Sequence, residues 1–231
     1  MFPSNRDKAR KMPRTGVLLA VAALFVIIFA FIWEAAYTKN ADANKPSDGR
    51  ASASGDIVQG MLDRLDWVEQ NFIPISDFSR PGTRLQEVKG IVIHYVGNAG
   101  TTALQNRSYF AGLTAADGVF ASSNFIIGLD GGILQCVPVD EIAYASNERN
   151  IDTLSIELCH PESLTGRFND ETYISAVRLC VWLCRQYKLT PDDIIRHYDV
   201  SGKICPLYFV ENENMWEAFK SDVRDRLGSA G

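Results

Sequence analysis

Histidine and cysteine are the scarce residues of this chain, three and five among 231. Imidazole chemistry can therefore draw only on His94, His160 and His197. Five cysteines, an odd number, cannot form a complete disulfide framework. No Cys-x-x-Cys clip occurs, which argues against a structural zinc site with four protein ligands. There is no internal repeat. A formal charge of −5 is wrong for a protein that coats nucleic acid. With 46% hydrophobic residues the chain is not wholly disordered either.

The averages hide a segment. From Gly16 to Trp33 (GVLLAVAALFVIIFAFIW) no residue is charged. That run is at the short end of the roughly 17–25 residues a membrane-crossing helix needs. Before it Arg6, Lys8, Arg10, Lys11 and Arg14 stand against Asp7, a surplus of +4. After it the charges cancel as far as Arg50, so residues 51–231 carry −9. The positive-inside rule puts a basic tail (1–15) in the cytoplasm, a signal-anchor across the membrane (16–37) and the remainder outside. The alternative is a secreted protein freed by signal cleavage, but the run is longer than the roughly 7–15 apolar residues of a signal peptide. Residues 38–55 hold no large apolar residue and read as a flexible linker with an r.m.s. span of roughly 20–25 Å.

The rest, 56–231, alternates strand and helix patterns, which predicts one α/β domain. Ile57, Met61, Leu65 and Val68 suggest a helix from Asp56 to about Asn71. Gly90–Val96 (GIVIHYV) suits a buried strand, and Asn106–Leu113 a short helix. Asn124–Leu129 and Ile133–Val137 flank Asp130-Gly131-Gly132 as a hairpin. Leu154–Leu158 is a further strand. Asp170 is expected to cap a helix whose apolar face is Tyr173, Ile174, Val177, Val181 and Cys184, ending before Pro191. Ile194 and Ile195 lead a last strand into His197, and Trp216, Phe219 and Val223 mark a closing amphipathic helix.

Among chemical groups, His94 shares a strand face with Val92, and His197 sits at a strand end. Cys205 follows His197 after a Ser201-Gly202 turn. Each alone is weak, since a single strand histidine is more often structural. Together they offer two imidazoles and a thiolate, the three-ligand set of a hydrolytic zinc site whose fourth position is left to water. Glu157 lies among apolar residues, where a carboxylate is costly unless paired or near a metal; otherwise it would face out from an edge strand. His160, near a strand end, is expected to be exposed. Asp199 suits a cap better than a ligand. Cys136, Cys159, Cys180 and Cys184 read as packing residues.

GIVIHYV, SSNFIIGLDGGILQCVP, TLSIEL and RHYDVSGKICP occur in the order seen in zinc-dependent N-acetylmuramoyl-L-alanine amidases, and the chain resembles that family from Phe78 to Val210. The resemblance implies a mixed central β-sheet flanked by helices and a zinc held by His94, His197 and Cys205. It puts the family's catalytic glutamate at Glu157 and its catalytic lysine at Lys203. The substrate it implies is peptidoglycan, cut between N-acetylmuramic acid and L-alanine. Two departures stand out. Ser123 and Asn124 replace a tyrosine or histidine pair of many relatives, and Ser146 stands where a histidine often follows Tyr144-Ala145. We expect a monomer, anchored in the membrane and binding no nucleic acid. A muropeptide sensor without hydrolysis and a tethered scaffold with a structural zinc are the competing readings.

Overall fold

The computed structural model describes residues 66–229. The basic tail, signal-anchor and linker of the sequence reading lie outside them, as does most of the Asp56–Asn71 helix. Among the described residues no helix is long and apolar enough to cross a membrane.

Six strands form one mixed sheet: β1 (Glu69–Gln70), β2 (Gly90–Tyr95), β3 (Phe125–Ile127), β4 (Ile133–Gln135), β5 (Thr153–Leu158) and β6 (Ile194–Arg196), in the order β1-β4-β3-β5-β2-β6. Only the β3–β4 hairpin is antiparallel. Its turn places Gly131 at φ +76°, a conformation glycine adopts without a steric penalty. Helices α1 (Ala103–Gly112), α2 (Asp170–Tyr187), α3 (His197–Ser201), α4 (Leu207–Glu211) and α5 (Glu213–Gly228) complete the domain. The expected architecture of a mixed sheet flanked by helices is present.

Strand alternation sorts the sheet into two unlike faces. Ile91 and Ile93 of β2, Phe125 and Ile127 of β3, and Leu154, Ile156 and Leu158 of β5 enter one core with α2, α4 and α5. The opposite face carries Ile126, Leu134 and Cys136, packed with Ala103 and Phe110 of α1. Beside it, on β5 and β2, the same face presents Thr153, Ser155, Glu157 and His94 around a single buried valine, Val92. Cys180 and Cys184 are buried in the first core, as expected.

Four expectations need correction. Asp66–Asn71 is a turn and the short strand β1, not the end of a helix, because Glu69 and Gln70 pair with Leu134 and Gln135. The cap of α2 is Asn169, whose side chain accepts from the Thr172 N–H, and Asp170 is the first helical residue. Ile174 is 51% exposed and lies off the buried stripe of α2. Finally, His160 is buried. Its Nδ1 meets the Glu162 carbonyl at 2.6 Å and its Nε2 the Val96 carbonyl at 3.0 Å. It clamps the loop after β2 to the loop after β5.

Phe209 on α4 is inaccessible and touches Phe168, Tyr208, Trp216 and Phe219, with ring centroids 5.2–6.0 Å away. Phe209→Ala is expected to cost about 3–5 kcal/mol, read as a fall in the urea midpoint with an unchanged slope.

Candidate active site

The site lies at the carboxyl ends of the central parallel strands. From β2 the chain crosses by α1 toward β3, and from β5 it crosses by α2 the other way to β6. Connections that leave in opposite directions open a crevice between the strands, where ligands bind in open α/β sheets. Here it is a cleft of about 590 Å³ lined by His94, Glu157, His197, Lys203 and Cys205 among others.

Each residue arrives by a separate local device. β2 and β5 pair in parallel with His94 opposite Glu157, so both side chains leave the same face side by side. β5 is interior, not an edge strand, so Glu157 does not face bulk solvent as the alternative reading allowed. Its Oε2 is buried without a hydrogen-bond partner. His197 opens α3 directly after β6. That corner is braced by Arg196, whose guanidinium pairs with Asp199 at 2.8 Å and Glu213 at 2.6 Å and donates to the Phe209 carbonyl. Asp199 also accepts the Arg196 N–H, which makes it a cap and brace and not a ligand. Gly202, at φ +75°, closes α3 and turns the chain back. The Tyr198 N–H then donates to the Cys205 carbonyl, bringing Cys205 beside His197.

The convergence is close. His94 Nδ1 lies 3.1 Å from His197 Nδ1 and 3.9 Å from Cys205 Sγ. All three donor atoms fall within 4.8 Å of one another. Among the described residues this is the one group of histidine, cysteine and acidic side chains that could hold a metal ion. Zinc–nitrogen distances of about 2.0–2.1 Å and zinc–sulfur distances of about 2.3 Å set tetrahedral N···N and N···S edges near 3.3 and 3.6 Å. The two His94 separations, 3.1 and 3.9 Å, are each within about 0.3 Å of these edges and the third is no longer than 4.8 Å, so the donor set can close on zinc with a small side-chain adjustment. His160 takes no part in it.

Electrostatics agree with the fit. Burial holds His94 well below the ordinary histidine range, helped by His197 and Lys203. Burial also lowers His197, with Lys203 adding to it and Glu148 opposing it. Neutral imidazoles keep the lone pairs that metals bind. Burial raises the Cys205 thiol to about 12, with Glu157 adding to the rise. Glu157 itself is pushed up to about 7 by burial, against the pull of Lys203. A poorly solvated carboxylate whose Oε2 has no partner, beside a thiol held protonated, is costly for the bare protein. A bound cation would relieve both.

The profile of the family described as N-acetylmuramoyl-L-alanine amidase matches residues 84–207, more than half of the chain. The chain belongs to the N-acetylmuramoyl-L-alanine amidase family. A probable N-acetylmuramoyl-L-alanine amidase of Bacillus licheniformis is 33% identical over 173 residues, covering 70% of this chain and 48% of its own length. The amidase BlyA of Bacillus subtilis (strain 168) is 30% identical over 178 residues, with 68% and 47% covered. The chain thus spans about half the length of the curated relatives it matches. Among solved structures, that of PlyL superposes with a TM-score of 0.58 at 21% identity, covering 68% of this chain and 96% of that one. At that identity the likeness shows the fold alone.

Ser146 and Asn150 are the residues whose place at the site sequence reasoning missed. Ser146 Oγ sits 3.1 Å from His94 Nε2, and Asn150 holds the Ser146 backbone. The departure at Ser146 was visible in the sequence, but its contact with His94 was not, because 52 residues separate the two. Ser123 and Asn124, the other departure, form a buried clip with Ser155 on β5.

Were zinc held by this trio, losing one of the three donors would cost more affinity than losing a group that only hydrogen-bonds to a donor. Cys205→Ser is therefore expected to weaken zinc binding by more than about 100-fold, measured by competition with a chromophoric chelator. Cys184→Ser, in the opposite core, should leave it unchanged.

Proposed function

We propose that this protein hydrolyses the amide between the lactyl group of N-acetylmuramic acid and L-alanine in peptidoglycan, with zinc held by His94, His197 and Cys205. The observation that carries the reading is the meeting of those three donors beside an unpartnered carboxylate in an open cleft. The curated relatives, named as amidases of this type, support it.

When bound, zinc would supply Lewis acidity and a water acidified from about 15.7 toward 7. Glu157 accepts the proton of the attacking water, a task that suits a carboxylate raised to about 7. The same group then delivers that proton to the departing amine. Lys203, on the exposed loop before Cys205, offers its ammonium to the developing oxyanion. The aromatic rim of Tyr109, Phe120 and Tyr144 gives the substrate an apolar wall. Part of this wall is stacked edge-on, with the Phe120 and Tyr144 rings 5.8 Å apart.

Residues 16–37 would anchor this domain on the outer side of the membrane, with residues 38–55 as its tether. The uncharged run and its basic flank support that reading. The sensor reading is the weaker one, because sensors on this fold typically lack the cysteine ligand and Cys205 here joins the two histidines.

Full-length protein in detergent, incubated with peptidoglycan, is expected to release new L-alanine amino termini. A chelator should abolish the release and added zinc restore it. Binding without release from any peptidoglycan type would overturn the enzyme in favour of the sensor. Glu157→Gln is expected to lower kcat by about 10²–10⁴-fold with zinc affinity retained. Undiminished turnover would remove Glu157 from the mechanism.

A further inference from the structure

We infer that Ser146 is a positioning residue that holds His94 in the one tautomer able to bind metal through Nδ1. The inference rests on the zinc reading above. A neutral imidazole carries one proton, on one of two nitrogens. His94 turns Nδ1 toward His197 and Cys205, and Nε2 toward Ser146 Oγ at 3.1 Å. Only with the proton on Nε2 does Nδ1 keep its lone pair for the metal. In that state Nε2–H donates to the serine oxygen.

The serine is set for this task. It is 1% exposed, so bulk water does not compete for its oxygen. Its backbone is pinned by Asn150, whose Oδ1 accepts the N–H of Ala145 at 3.0 Å and of Ser146 at 2.6 Å. The Arg149 N–H donates to the Ser146 carbonyl at 2.9 Å, closing the turn. Asn147, the next residue, lies at φ +53°, a left-handed conformation that asparagine tolerates better than most residues.

The other histidine decides the direction. The two Nδ1 atoms are 3.1 Å apart, so in the metal-free protein one must donate to the other. If His94 donated, His197 would need its own proton on Nε2, and that atom is buried without a partner. A buried N–H with no acceptor is costly. If His197 donates from Nδ1, every proton in the pair has an acceptor, and His94 Nε2–H ends on Ser146. Without the hydroxyl this preference disappears, because Nε2–H of a histidine that is 2% exposed is then itself orphaned. Either placement then leaves one N–H of the pair without an acceptor, so the proton also populates Nδ1, where metal must displace it.

Long-range proton–nitrogen spectra of metal-free full-length protein read the tautomer directly, and chelator competition reads zinc affinity. The wild type is expected to show His94 protonated at Nε2. Ser146→Ala should populate the Nδ1-protonated tautomer beside the Nε2 one and weaken zinc by about 10–100-fold, and Ser146→Thr, which keeps a hydroxyl, should restore both. Should the alanine variant not fold, Ser146→Gly removes the same hydroxyl without added volume. The assignment is overturned if the hydroxyl-free variant keeps the Nε2 proton and wild-type zinc affinity, whatever its melting temperature. Peptidoglycan hydrolysis is followed in parallel. A wild type that cleaves nothing while the variant still moves the proton sinks the amidase reading and leaves Ser146 standing. A cleaving wild type with an unaltered variant does the reverse.

Discussion

The parallel pairing of β2 with β5 is the constraint on which the site depends. It is the longest strand pairing in the sheet, from Gly90 opposite Thr153 to Tyr95 opposite Leu158. Because side chains alternate, this register sends the isoleucines and leucines of both strands into one core and His94 and Glu157 to the other side. A slip of one residue would exchange the faces, burying a carboxylate and an imidazole in hydrocarbon. The cost of that exchange, several kcal/mol in exposed isoleucine and leucine and in unpaired polar groups, is comparable to the whole net stability of a domain, about 5–15 kcal/mol. The hydrophobic core therefore enforces the spacing of the polar pair.

The second half of the site is held by a different kind of force. His197 and Cys205 belong to a corner where strand, single-turn helix and returning loop meet. Nothing apolar alone could fix such a corner. Arg196 does so with its ion pairs to Asp199 and Glu213 and its bond to the Phe209 carbonyl, while its guanidinium also lies 5.4 Å from the Trp216 ring centroid. The guanidinium is nearly buried, so its partners must stay in place or leave a costly charge unpaired. The corner is consequently coupled to α4 and α5, and through Phe209 to the core behind the sheet.

Much of this was legible in advance for definite reasons. Scarcity made His94, His197 and Cys205 readable: with so few soft ligands, few combinations remain. Glu157 was marked by its apolar neighbours. Strands and the closing helix followed from periodicity, because Trp216, Phe219 and Val223 recur on one face and are all buried. The misreadings share a cause. His160 looked exposed because it stands beside a proline at a strand end, but two loops distant in sequence close over it. Residues 69–70 looked helical because local spacing cannot register that Leu134 and Gln135 offer an open strand edge.

By itself the sequence determined the inventory: which side chains could bind a metal, which segments alternate at the strand or the helix period, and the long apolar run without charge from Gly16 to Trp33. Those are properties of composition and local spacing, and they survive in any conformation. The tertiary structure alone decided proximity. It set His94 beside Glu157 through a register, Cys205 beside His197 through a turn, and Ser146 behind His94 through a loop. Proximity between residues far apart along the chain is set by which surfaces bury each other, and no local pattern encodes that.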